Sequence, residues 1–222
     1  MAAHESPARV TRGARTALLS GIYVIVNEGA HDPVRIASAA LDAGVRIVQY
    51  RAKNGIVPQT IEQLRAITRK QDALLIMNDD WRAALAYDCD GVHLGPDDSG
   101  FANVAPVREA LGERLIGLSC GTVKEAREAD ASGADYIGVG AVYGTASKAD
   151  AGDPIGIEGL RRVASATRLP VAAIGGIGVE NVRAVRLTGV AMAALISAVA
   201  DAPDPCLAAE WLVRIWRDEE GA

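Results

Sequence analysis

Cations, carboxylates and hydroxyls recur along this chain just after short apolar runs. Gln49, Arg51 and Lys53 follow or end the run Ile47–Tyr50, and strand alternation turns the three to one side. Asn78, Asp79 and Asp80 follow Ala73–Met77, and Asp97 and Asp98 follow Gly91–Leu94 after Gly95-Pro96. Ser119 stands after Leu115–Leu118, Thr145, Ser147 and Lys148 after Tyr136–Val142, Gly175 and Gly176 after Val171–Ile174, and Ser197 after Ala191–Ile196. Hydroxyls, loop N–H groups and an ammonium suit a phosphate. Two carboxylates beside substrate phosphate oxygens are a common way of holding Mg²⁺. Together these groups read as a site for a diphosphate held through Mg²⁺ and basic side chains. The glycine turn at 175–178 implies a second phosphate site. Taken singly, Lys148 reads as a solvated loop residue, Asp79 as a helix N-cap, Asp98 as a turn residue and Gly175-Gly176 as a tight turn. Recurrence after successive runs tips the balance toward a site. His93, inside its run, reads as a core histidine. No HExxH, GK[ST] phosphate loop, G-x-S-x-G elbow or GxGxxG after the first run is present.

The runs that must position these groups number eight: 22–26, 47–50, 73–77, 91–94, 115–118, 136–139, 171–174 and 191–196. They are apolar on both faces and alternate with stretches of helical spacing. Ile61, Leu64 and Ile67 share one face of 58–70, Leu160, Val163 and Ala164 one face of 157–167, and Ala208, Trp211, Leu212 and Ile215 one face of the last helix. Fully apolar strands alternating with helices imply a parallel sheet. Eight units predict an α/β fold, a single (β/α)₈ TIM barrel, with a doubly wound open sheet as the alternative. Residues 1–19 are expected to be an N-terminal extension, loose or a short helix, and 20–222 the barrel. In such a barrel the strand C-termini open on one mouth.

Composition narrows the partners. Of 222 residues half are hydrophobic and only 4% aromatic, so the core is built from Ala, Val, Ile and Leu. The net charge of −5 argues against nucleic acid. Cys89, Cys120 and Cys206 are far apart, which predicts reduced thiols and a cytoplasmic location rather than a disulfide framework or zinc site. No apolar run reaches membrane-spanning length, and the apolar stretch after Arg9, Arg12 and Arg15 is too short for a signal peptide core. Small-molecule substrates are the expected partners, with a homo-oligomer left open.

The segments Val48-Gln49-Tyr50-Arg51-Ala52-Lys53, Met77-Asn78-Asp79, Gly91-Val92-His93-Leu94-Gly95, Gly144-Thr145-Ala146-Ser147-Lys148 and Val171–Ile177, in this order over residues 22–205, resemble the thiamine-phosphate synthase family. The resemblance implies a transferase that joins hydroxymethylpyrimidine diphosphate to hydroxyethylthiazole phosphate, giving thiamine phosphate and pyrophosphate. It further implies that Gln49, Arg51, Lys53, Asn78, Ser119 and Lys148 hold the pyrimidine diphosphate, with Tyr50 and Ala52 counted among the binding residues of the same motif. By the same likeness Asp79 and Asp98 ligate Mg²⁺, and Thr145, Ala146, Ser147, Gly176, Ile196 and Ser197 hold the thiazole phosphate. Arg51, Lys53 and Lys148 are the implied catalytic cations. The chain departs from the family pattern at Ala52, Pro96, Gly121 and Gly144, where relatives usually carry an acid, Gln, His and Pro, while Ser147 keeps the hydroxyl of a usual Thr. Two other readings compete: a thiazole tautomerase-like isomerase, against which Gly121 in place of histidine argues, and a catalytically silent phosphate-binding barrel.

Overall fold

Eight parallel strands alternate with helices in the computed structural model, which describes residues 11–29, 31–144 and 153–219. The strands are β1 (Gly21–Asn27), β2 (Ile47–Arg51), β3 (Leu74–Asn78), β4 (Gly91–Leu94), β5 (Leu115–Cys120), β6 (Tyr136–Val139), β7 (Val171–Ile174) and β8 (Met192–Leu195). Each pairs with its sequence neighbour, and β8 closes on β1 through Gly21↔Met192 to Val24↔Leu195, completing the (β/α)₈ barrel.

Strand alternation produces two apolar layers. Val24, Val26, Val48, Tyr50, Leu75 and Met77 face outward into the layer shared with the helices. Tyr23, Ile25, Ile47, Ile76, Leu115 and Tyr136 face inward and fill the barrel. Among the described helices, α2 (Pro33–Asp42), α3 (Pro58–Lys70), α6 (Val123–Ser132), α7 (Gly156–Ala164) and α10 (Pro205–Arg217) pack on the outside. Local chemistry starts several of them. Asp32 and Asp204 cap α2 and α10 ahead of a proline at the first helical position, and Thr122 with Glu125 makes a capping box on α6. The buried stripe of α10 is Pro205, Ala209, Leu212 and Val213. Of the face expected from spacing only Leu212 is fully buried, because the helix rests against α2, α8 (Val182–Arg186) and β1 together.

The opposite, N-terminal end of the barrel is closed by charge. Asp90 and Asp135 are 6% and 8% exposed at the starts of β4 and β6. Asp90 accepts from the Leu75 amide at 3.0 Å and from Arg65 at 2.6 Å; Asp135 accepts from the Ile116 amide at 2.8 Å and pairs with Arg108. The helix α1 (Arg12–Thr16) docks here through Arg15 on Asp90 at 3.2 Å and Arg12 on Asp135 at 3.5 Å. Leu19 then enters the interior layer, so residues 11–19 plug the barrel floor instead of trailing from it.

Candidate active site

The strand C-termini surround a cavity of about 430 Å³. Gln49, Arg51, Lys53, Asn78, Asp79, Asp98, Ser119, Gly176, Ile196 and Ser197 line it. The sequence also pointed to Tyr50 and Ala52, and the structure places both elsewhere. Alternation along β2 sends Tyr50 into the outer layer, fully buried, where its hydroxyl donates to Glu28 at 2.6 Å and accepts from the Val57 amide. Burial and Glu28 push that phenol up to about 12. Ala52 packs against the same outer cluster. Thr145, Ala146, Ser147 and Lys148 lie outside the described residues.

The acidic corner is built by β3 and β4. Asp80, not Asp79, caps the next helix, α4 (Trp81–Ala86), by accepting from the Arg82 and Ala83 amides. Asp79 is thereby released from capping. Its backbone takes the left-handed conformation, φ 68°, with its amide fixed on the His93 carbonyl at 2.8 Å. Its carboxylate meets Lys53 at 2.8 Å. Lys53 therefore has an acidic partner across strands that its sequence neighbours do not reveal. Asp98 is both a turn residue, accepting from the Gly95 amide at 2.6 Å, and a cavity residue. Burial, and a hydrogen bond to the adjacent Asp79 carboxylate, push the Asp98 carboxyl up to about 6 against the pull of Gly95 and Lys53. Two adjacent hard carboxylates, one of them raised by burial and by the other, are a donor set that a divalent cation would relieve. Among the described residues no group of three or more histidines, cysteines or carboxylates could hold a metal alone. Substrate oxygens would have to complete the shell, as with Mg²⁺ on a diphosphate.

Arg51 is oriented from β1, its Nη1 donating to Asn27 Oδ1 at 3.2 Å. On the far side, Gly175 and Gly176 have φ of 103° and 62°. Side chains there would strike the loop after β6: a Cβ on Gly175 would lie 2.6 Å from Ala141 Cβ, and one on Gly176 2.5 Å from the Gly144 carbonyl oxygen. The glycines let these two loops touch, and Tyr143 donates its amide to Gly175 at 3.0 Å. The helix opened by Ser197 after β8 is a single turn, α9 (Ser197–Ala200).

Beneath the mouth runs a line of polar side chains that the sequence did not announce. Gln49 Nε2 donates to Tyr23 Oη at 2.6 Å, the Tyr23 and Tyr136 hydroxyls are 3.1 Å apart, Tyr136 Oη is 3.2 Å from His93 Nδ1, and His93 Nε2 is 3.1 Å from Ser119 Oγ. His93 is thus a satisfied histidine, but one that lines the cavity. Burial pushes both interior phenols well above the ordinary tyrosine value, so they remain protonated at neutral pH. Tyrosines inside otherwise aliphatic strands were the available signal, since a buried phenol needs a partner. Cys120 lines the cavity too, yet burial pushes its thiol up to about 12 and leaves it no thiolate character at neutral pH.

Comparison with known proteins places this geometry. The family model described as thiamine monophosphate synthase matches residues 22–199. A thiamine-phosphate synthase of Archaeoglobus fulgidus is 45% identical over 203 residues, 90% of this chain and 94% of that one. One from Moorella thermoacetica is 40% identical, covering 86% and 93%. The solved thiamine phosphate pyrophosphorylase of Pyrococcus furiosus superposes with a TM-score of 0.81 at 38% identity, over 91% of this chain and 98% of that one. A 3-hexulose-6-phosphate synthase, 17% identical with a TM-score of 0.65, shares the fold.

Proposed function

This chain belongs to the thiamine monophosphate synthase family and is a transferase of thiamine biosynthesis, and from that premise we propose how its mouth carries out the reaction. The substrates are hydroxymethylpyrimidine diphosphate and hydroxyethylthiazole phosphate; the C–O bond to the diphosphate breaks, and the thiazole nitrogen forms the new C–N bond to the methylene carbon. Supporting this reading is the convergence of Arg51, Lys53, Asp79 and Asp98, drawn from three successive βα connections, on one cavity.

Bond breaking moves negative charge onto the leaving diphosphate. Fixed cations facing that charge lower the barrier without reorganising. Arg51, steadied by Asn27, and Lys53, paired with Asp79, are the described cations at this position. Lys148, which lies between β6 and α7 in the sequence, is proposed as the third. Asp79 and Asp98 would hold Mg²⁺, which supplies further charge neutralisation to the phosphate oxygens when bound. The attacking nitrogen carries no proton to lose, so no general base is required. The only histidine lining the cavity among the described residues, His93, is engaged with Tyr136 and Ser119. The glycine-lined side, with Gly176, Ile196 and Ser197, is assigned to the thiazole phosphate.

The direct test mixes purified protein with both substrates and Mg²⁺ and follows pyrophosphate and thiamine phosphate. Equimolar appearance of both is expected. Isomerisation of a thiazole carboxylate phosphate without the pyrimidine would favour the tautomerase instead, and binding of both phosphates without turnover a silent barrel.

A further inference from the structure

The line of side chains from Gln49 to Ser119 crosses the barrel interior from β2 to β5 and joins opposite sides of the mouth. The fold makes room for it. A Cβ on Gly117 would fall 2.1 Å from the Tyr136 ring, and one on Gly138 2.9 Å from the His93 ring, so two strand positions have given up their side chains to seat these two rings. Tyr136 is fully buried and forms no part of the cavity wall, whereas Gln49 and Ser119 do.

Donor logic gives the line a direction. Gln49 Nε2 can only donate, so Tyr23 Oη accepts from it and has its own proton to give; Tyr136 Oη is the hydroxyl within reach. With the Tyr23 proton directed there, Tyr136 would give its own proton to His93 Nδ1, 3.2 Å away, and a neutral imidazole would then carry its proton on Nε2 and donate to Ser119 Oγ at 3.1 Å. In that arrangement Ser119 would have its hydroxyl proton left to offer the cavity, and Gln49 its carbonyl oxygen.

Resting on the reading of the mouth as a pyrimidine diphosphate site, we propose that Tyr23, Tyr136 and His93 are positioning residues: their directed hydrogen-bond chain fixes Ser119 as a donor and Gln49 as an acceptor toward the substrate's aminopyrimidine ring. Such a ring carries both an amino donor and lone-pair acceptors, so a mouth with one fixed donor and one fixed acceptor selects its orientation. The thiazole phosphate, on the glycine-lined side, is not read by the chain.

Two measurements decide it. In the wild-type protein without ligand, long-range ¹H–¹⁵N correlation of ¹⁵N-histidine-labelled enzyme, assigned with His93→Gln, should show His93 as the neutral Nε2-protonated tautomer. In Tyr136→Phe, which deletes one buried hydroxyl and leaves the ring, the KM for the pyrimidine diphosphate should rise about tenfold, while the KM for the thiazole phosphate stays within about twofold. His93 should then show a mixture of tautomers. A wild-type His93 protonated on Nδ1 overturns the proposal whether or not the variant folds. So does a folded Tyr136→Phe whose pyrimidine KM is unchanged, or whose two KM values rise together. The tautomer is measured without substrate, so wild-type protein that makes no thiamine phosphate sinks the proposed reaction and not the chain's direction.

Discussion

Replacing Asp98 by Asn is expected to stabilise the metal-free protein while disabling it. Asp98 is partly buried and lies beside Asp79, and burial first, with Asp79 adding to it, raises its carboxyl to about 6 from the ordinary 3.8. The sign follows from linkage. A carboxyl whose folded value is raised binds its proton more tightly in the native state, so stability is greatest below the unfolded value and declines as pH rises through about 6. Above that pH the native state bears the whole cost of a desolvated carboxylate beside Asp79. A displacement of this size has a ceiling of about 3 kcal/mol. The carboxyl lies in an open mouth, and solvent screening brings the expected cost nearer about 1 kcal/mol. In a domain of this length that is a Tm gain of roughly 2–4 °C. Asn keeps an oxygen for the Gly95 amide and offers Asp79 a donor, so the substitution leaves no acceptor or donor stranded. The assay is thermal unfolding of both proteins in EDTA from pH 4.5 to 7.5. The advantage of Asp98→Asn should grow through pH 5–6 and level off above about 6.5. A variant less stable than wild type at pH 7.5, or an advantage independent of pH, refutes the raised Asp98 carboxyl and the burial and crowding that account for it.

Asp79→Asn should cut turnover strongly with the fold intact by circular dichroism, and EDTA should mimic it in the wild-type assay; full activity in EDTA would remove Mg²⁺ from the reaction. Lys148→Ala should lower kcat more than it raises KM, with a hundredfold loss equal to ~2.7 kcal/mol of transition-state stabilisation; steady-state kinetics showing a change in KM alone would make it a binding residue only. At the barrel floor, Asp135→Ala leaves the buried Ile116 amide without its acceptor and removes one partner of the half-buried Arg108, which keeps the Gly112, Arg114 and Gly133 carbonyls, and should cost about 1–3 kcal/mol in urea unfolding; no measurable loss would show that water takes over from the carboxylate.

The strands were legible because a strand buried on both faces leaves an unbroken apolar run, and each of the eight runs coincides with a strand to within a residue or two at its ends. The strand-end residues were legible for a related reason: alternation and the parallel barrel together send Gln49, Arg51, Asn78 and Ser119 to one rim without any knowledge of contacts. Side-chain partnership across the barrel was not legible. Nothing near Lys53 in sequence announces Asp79, 26 residues on, and nothing near Tyr23 announces Tyr136, 113 residues on. The adjacent pair Asp79-Asp80 shows the limit most sharply. Sequence offered helix capping as the ordinary role for the first, and the fold assigns that role to the second. One residue of displacement turns Asp79 through a left-handed backbone onto Lys53 and Asp98. A cap satisfies amides of its own helix, whereas the carboxylate one position earlier meets charges from two other strand ends. At the other end of the barrel, Asp90 and Asp135 spend their carboxylates on strand amides and arginines, and that order reverses: these acids are satisfied where they stand. The same residue type therefore secures the floor and, at the mouth, sets a partly buried Asp98 beside Asp79 with its carboxyl raised, a pair that the proposed Mg²⁺ would relieve.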